Sequence, residues 1–151
     1  PGHEVLFGNG FPTASGRGKL VPADVLPADE LPDQEYPMIL TTGRILEHWH
    51  TGAMTRRAAN LAEIEPEAYL HMSPDDLKKF KVEPGEPVRI TTRRGSVELA
   101  VRHEPSVPNG LVFMPFCFSE AAANILTNPA LDPYGKIAEV KFAAARIEKI
   151  N

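Results

Sequence analysis

The sequence predicts a mainly β barrel or sandwich with short helices, and three observations carry that reading. Short β-prone runs recur between Pro37 and Ile147, and two short helical segments are signalled among them. No long alternation of strand and helix is present, which argues against a doubly wound sheet. A compact β architecture suits that pattern better. Each half also reads as strand, loop, short helix and further strand, although no sequence repeat is strong enough to establish duplication.

Residues 1–35 carry few secondary-structure signals. Gly8, Gly10, Gly16 and Gly18 lie among Pro12, Pro22, Pro27 and Pro32. Such spacing predicts an extended arm that wraps a core or joins it to something upstream. A chain that opens at Pro1, inside such a segment, reads either as an excised piece or as a processed protein. The compact domain is expected over residues 36–151. Pro37 to Thr42 is a buried strand running into Gly43. A helical turn is expected between Ala53 and Asn60, and a second strand from Glu67 to Met72. Ser73-Pro74-Asp75-Asp76 is a helix start, with Ser73 as cap, Pro74 at the first position and two acids in the first turn. Leu77 and Phe80 should pack inward.

Pro87 to Thr92 and Ser96 to Val101 both alternate apolar and polar residues, so they form a hairpin. Its connection is Arg93-Arg94-Gly95, with Gly95 free to take positive φ and the arginines read as a solvated tip. Pro108-Asn109-Gly110 turns the chain into Leu111 to Met114. Ser119 should cap a helix carrying Ala121 to Leu126, with Glu120 in its first turn. Val140 to Ile147 returns to the sheet.

Composition narrows the function classes. The 42% apolar content fits a globular core. One cysteine, Cys117, excludes an internal disulfide framework and a thiolate metal cluster. A formal charge of -4 gives no reason to expect a nucleic-acid partner. The apolar runs are too short for a bilayer span and no signal segment opens the chain, so no direct membrane insertion and a cytoplasmic location are expected.

The stretch Thr42 to Gly52 concentrates the candidate chemistry. His48 and His50 flank Trp49; on a strand they would share a face. Metal ligation, contact with a cofactor or substrate, and structural hydrogen bonding all remain open for them. Trp49 reads as a packed aromatic. Arg44 follows the strand end directly. Its planar fork suits a phosphate or a polar heterocycle, or equally an ordinary salt bridge. Gly43 and Gly52 let backbone amides approach a ligand, yet no phosphate-binding glycine loop of the strand–helix type is present. Asn124 interrupts an apolar helix and needs a partner if buried; ligand or interdomain contact would supply one. Thr127 and Asn128 serve as terminators. Lys141 can reach a phosphate or face solvent. Cys117 reads as a buried small hydrophobe.

Tyr36-Pro37-Met38-Ile39-Leu40-Thr41-Thr42-Gly43-Arg44, followed by His48-Trp49-His50-Thr51-Gly52-Ala53-Met54-Thr55, closely resembles the molybdopterin dinucleotide-binding domain. That domain closes the catalytic subunit of molybdenum- and tungsten-dependent oxidoreductases. The resemblance continues through Pro115 to Asn128, Leu131-Asp132-Pro133, Lys136, Glu139, Lys141 and Arg146. Phe11 to Lys19 is similar to the linker that precedes this domain. The Leu46 to Gly52 variant looks most like formate dehydrogenase alpha subunits, with nitrate reductases the neighbouring possibility. A separate small subunit supplying the same surface, as in formylmethanofuran dehydrogenases, is a further alternative.

This resemblance implies a double-psi β-barrel of the aspartate-decarboxylase-like type, packed over bis-(molybdopterin guanine dinucleotide). It implies cofactor contacts from Gly43, Arg44, His48, Trp49, His50, Thr51, Asn124 and Lys141, with no metal ligand and no catalytic residue in this chain. Cys117 stands where relatives commonly have histidine and takes no role. The parent reaction is expected to be oxidation of formate to carbon dioxide, with upstream domains of the same subunit and iron–sulfur or other electron-transfer partners. The chain alone is expected to be an inactive fragment, with the cofactor absent from the isolated domain.

Overall fold

A computed structural model describes residue 2 and residues 4–150. Pro1, His3 and Asn151, at the ends of the expected arm and domain, lie outside the described residues. Six strands close into a barrel: β1 (Met38–Gly43), β2 (Tyr69–Met72), β3 (Pro87–Thr91), β4 (Ser96–His103), β5 (Leu111–Pro115) and β6 (Ala143–Lys149). Two short helices, α1 (Ala59–Ile64) and α2 (Pro74–Phe80), and 3-10 turns at Thr55–Arg57 and Ala123–Ile125 complete it. The fold is mainly β with short helices, as expected. Strand order around the barrel is β1-β5-β2-β4-β3-β6.

The faint similarity of the two halves becomes explicit in the pairing. Exchanging β1, β2 and β3 with β4, β5 and β6 reproduces every neighbour. The parallel pair β1–β5 becomes the parallel pair β4–β2. The antiparallel pair β1–β6 becomes β4–β3, and β2–β5 and β3–β6 map onto themselves. Two interlocked halves of this kind make the double-psi barrel. The duplication lives in the register of pairing rather than in side-chain identity.

Alternation fills the interior, because successive strand residues face opposite sides. Met38, Leu40 and Thr42 on β1, Val88 and Ile90 on β3, Val97, Leu99 and Val101 on β4, and Val112 and Met114 on β5 are all buried. Leu77 closes the barrel from α2, and Phe80 packs against the core. Helix α2 begins as its sequence dictates. The Ser73 hydroxyl accepts from the Asp76 amide at 3.1 Å and donates to the Asp76 carboxylate at 2.9 Å. Asp76 is itself buried and also accepts from the Gly110 amide at 2.8 Å, which fastens α2 to the turn before β5.

Three local expectations are corrected. Ser119 caps no helix. Residues 116–122 are irregular and only the single 3-10 turn Ala123–Ile125 follows, after Ala122 in an extended conformation. Ala121, Ala123 and Leu126 are the buried positions there, a spacing no α-helical face provides, so core packing overrides helix propensity. Arg93 and Arg94 are not a solvated tip. Arg94 pairs with Glu30 and donates to the Leu126 carbonyl at 2.9 Å, while Arg93 pairs with Asp33 and lies 4.6 Å over the Tyr36 ring. Gly95 does not adopt positive φ. A Cβ there would lie 2.6 Å from Ile125, so close packing is what requires glycine.

Residues 4–35 contain no helix or strand. The end of this segment is tied to the barrel. Glu30 accepts from the Ala144 amide at 2.7 Å, just past the point where β3 stops pairing with β6, and Glu35 pairs with Arg146. Among the described residues, no helix is long and apolar enough to cross a membrane.

Candidate functional site

The parallel pair β1–β5 ends with Gly43 opposite Pro115, and the chain leaves this end of the barrel through two irregular segments, residues 44–54 and 116–122. Gly43 is required by close approach: a Cβ would sit 2.5 Å from the Phe113 ring. The same imaginary atom lies 3.6 Å from Lys141 Nζ, which donates to the Thr42 carbonyl at 2.6 Å. The Thr42 hydroxyl answers by donating to the Val140 carbonyl at 2.7 Å. One hydrogen bond therefore holds the Lys141 ammonium at the strand end, leaving its other donors for a ligand.

Arg44 is the next residue and is exposed; its Nη2 lies 3.4 Å from His50 Nδ1. Neither Arg44 nor Lys141 has a carboxylate partner among the described residues, whereas Arg56, Arg89, Arg93, Arg94, Arg102 and Arg146 all do. Two uncompensated cations beside one strand end favour an anion. His50 has φ 49, and Gly52 has φ 72, where a Cβ would lie 2.8 Å from the Arg56 side chain and from the Cys117 carbonyl. Trp49 is 62% exposed, contrary to the packed reading, and sets its ring edge-on to His50 at 4.5 Å.

Thr51 and Asn124 meet across the two segments. They line one small depression with Phe116, Phe118, Ser119 and Ala122. Phe116 joins this depression to the strand end, since Lys141 Nζ lies 5.8 Å from its ring centroid. Gly43, Arg44, His50, Thr51, Asn124 and Lys141 thus share one face, with Trp49 at its edge. Asn124 is exposed and its side chain makes no hydrogen bond among the described residues. The buried asparagine is Asn128, which donates to Glu139 and to the Phe142 carbonyl, both at 2.9 Å.

His48 is placed differently. It is buried, with Nε2 2.8 Å from the Glu65 carbonyl, Nδ1 3.3 Å from the Thr55 hydroxyl and its ring edge-on to Phe118. The two histidines diverge, one inward and one outward, so they do not converge on a shared ion. No group of three or more metal-ligating side chains gathers among the described residues. Cys117 is buried, and burial pushes its thiol up to about 11, so the thiol stays protonated at neutral pH. Burial and the nearby Arg102 charge hold His71 below the usual histidine range.

Sequence reasoning missed the ties beneath this face. Arg56 pairs with Glu120 and stacks 4.7 Å over Phe118, joining the two segments; Glu65 pairs with Arg102 at 2.8 Å. No local pattern marks Glu120 as the partner of Arg56 or Glu65 as the partner of Arg102, because each pair is far apart in sequence. A larger depression, bounded by Pro74, Leu77, Lys81, Val82 and His103, lies at the symmetry-related end of the barrel. Lys78 and Glu83 also line it, and it gathers none of the candidate residues.

The chain is similar to proteins already known. A family profile, "Molydopterin dinucleotide binding domain", matches residues 38–144. The chain is 47% identical over 149 residues to the F420-dependent formate dehydrogenase subunit alpha of Methanocaldococcus jannaschii, covering 99% of this chain and 22% of the relative. It is 45% identical over 150 residues to the F420-dependent formate dehydrogenase 1 subunit alpha of Methanococcus maripaludis, with the same coverage of each. The chain thus spans about a fifth of the length of these curated relatives. Among solved structures, acetylene hydratase from Pelobacter acetylenicus superposes with a TM-score of 0.68 at 20% identity, over 78% of this chain and 19% of that one, a likeness of fold.

Proposed function

We propose that this chain, which belongs to the molybdopterin dinucleotide-binding domain family, holds the dinucleotide part of a molybdenum or tungsten cofactor against the β1–β5 end of its barrel. The observation that carries the reading is the pair of cations without carboxylate partners among the described residues, Arg44 and Lys141, at the strand end where Gly43 packs on Phe113. The site's residues suit such a group. Arg44 and Lys141 would hold phosphate oxygens, the free Asn124 amide would meet a heterocycle edge, and His50 and Thr51 would add donors between them. Trp49 would flank the group, and His48, with both ring nitrogens engaged inside the protein, would support the segment from beneath.

On this reading residues 1–35 are a linker and 36–151 the binding domain of a formate dehydrogenase catalytic subunit. The cofactor would supply the two-electron chemistry that takes formate to carbon dioxide, while this chain's residues bind it, orient it and tune its surroundings. The metal ligand and the electron-transfer centres would reside in other parts of the enzyme.

The test is cofactor content of the full-length protein that carries this chain. Losing a charge-assisted contact of about 1.5–3 kcal/mol lowers affinity roughly 10- to 100-fold. Arg44→Ala with Lys141→Ala should therefore deplete molybdenum or tungsten together with acid-released guanine nucleotide. Unchanged content in a folded double variant would sink the proposal. The isolated chain should bind the cofactor weakly, because half the cavity wall is missing; tight stoichiometric binding by calorimetry would contradict that.

A further inference from the structure

We propose that Thr55 is a positioning residue, which fixes one tautomer of buried His48 and through it the segment Trp49–Gly52 that presents His50 and Thr51. The argument starts from what each group can donate. A carbonyl oxygen only accepts, so the 2.8 Å contact between His48 Nε2 and the Glu65 carbonyl places a proton on Nε2. In the neutral ring Nδ1 then offers a lone pair, and its partner is the Thr55 hydroxyl at 3.3 Å. That hydroxyl donates to Nδ1 and has lone pairs left. It accepts from the Trp49 amide at 3.0 Å. The chain runs one way: Trp49 N–H to Thr55 O–H to His48 Nδ1, then His48 Nε2–H to Glu65 C=O.

The direction matters because of what hangs on its ends. The Trp49 carbonyl accepts from the Gly52 amide at 2.9 Å, closing a turn in which His50 takes φ 49 and Gly52 φ 72. A non-glycine residue in the left-handed region needs its neighbours held in place. Here Thr55 holds the first residue of the turn, and the Gly52 carbonyl accepts from the Arg56 amide at 2.9 Å to hold the last. At the other end, Glu65 is buried and paired with Arg102 of β4, so the relay is anchored to the barrel wall. An aliphatic side chain at position 55 would orphan both the Trp49 amide and His48 Nδ1. Serine would preserve both bonds.

The link to ligand binding rests on the cofactor reading above, but the hydrogen-bond relay does not. Long-range proton–nitrogen NMR spectra of the chain should show His48 as the neutral Nε2–H tautomer. An Nδ1–H tautomer or an imidazolium would overturn the proposal without any variant. Thr55→Val should shift the Nδ1 resonance toward that of a nitrogen without a donor. It should also raise exchange of the Trp49 amide roughly 2- to 10-fold, the scale of one lost hydrogen bond, while Leu40 and Val101 stay protected. Thr55→Ser should restore both signals. Unchanged Trp49 exchange in folded Thr55→Val would refute the relay. In the full-length protein, cofactor content should fall several-fold with Thr55→Val and recover with Thr55→Ser; content unmoved by a disrupted relay would refute the positioning role. Failure of the Arg44 and Lys141 test would instead remove the cofactor reading and leave the tautomer and exchange results standing.

Discussion

Two connections related by the barrel's internal symmetry behave in opposite ways. Residues 73–86 join β2 to β3, and residues 116–142 join β5 to β6. The first is a capped helix whose start is set by near neighbours, with Ser73, Pro74 and Asp76 in place, and Asp76 also ties it to the Gly110 amide. The second keeps one 3-10 turn and is held from a distance: Glu120 by Arg56, the Leu126 carbonyl by Arg94, and Lys141 by the Thr42 carbonyl. The difference separates scaffold from site. A segment that spends its polar groups on its own turns presents little to a ligand. One held by remote side chains leaves Asn124 and the Lys141 ammonium turned outward.

The largest effect that sharpens this comparison lies in the first connection. Asp76→Ala removes a buried carboxylate that accepts from the Ser73 hydroxyl and from the Gly110 amide. Stability should fall by about 3 kcal/mol, read from urea unfolding; a loss under about 1 kcal/mol would show that α2 is not locked this way. In the second connection, Asn128→Ala should cost about 2 kcal/mol through its lost buried hydrogen bonds. Asn124→Ala should stay within about 0.5 kcal/mol. Equal losses at the two asparagines would erase the distinction between the residue that holds the segment and the one it displays.

The serines give a smaller contrast. Ser73→Ala should cost about 1 kcal/mol as a true cap, whereas Ser119→Ala should change stability by less than about 0.5 kcal/mol. A cap-sized cost at Ser119 would mean that a helix forms there after all. The smallest effect concerns Glu30. Burial alone pushes its carboxyl up, but the Arg94 hydrogen bond, the Ala144 amide and the charges of Arg94 and Arg93 outweigh burial and hold it below the usual glutamate range. A folded pKa below the unfolded one means the contribution is complete above the ordinary glutamate value and is lost as pH falls through the lowered value. Exchange of the Ala144 amide, corrected for intrinsic rate, should therefore rise on acidification through that window, and Glu30→Gln should flatten the profile. A flat profile in the unaltered chain would show that Glu30 does not hold the arm.

Legibility tracked sequence distance. The α2 start was readable because cap, proline and first-turn acids are contiguous and act on one turn. The hairpin was readable because alternation of burial is a property of each strand alone. Arg93 and Arg94 were misread because Asp33 and Glu30 lie in the arm, far away in sequence. Arg44 and Lys141 were picked out singly, but that both lack a carboxylate partner could be seen only in three dimensions. The metal reading of His48 and His50 assumed a strand. A bend puts one ring inside and the other outside, and no local signal announced that.

By itself, the sequence determined the strand runs, the capped helix and, through the motif around Gly43 to Gly52, the family of the domain. These rest on propensity, periodicity and contiguous residue types, which act within one turn or one strand. Tertiary structure decided the barrel's closure and its twofold pairing, the loss of the expected second helix, and the division of Thr42 to Gly52 into an inward His48 and an outward Arg44 and His50. Those outcomes depend on which distant groups satisfy a buried hydrogen bond or leave a charge unpaired, and only the folded chain brings those groups together.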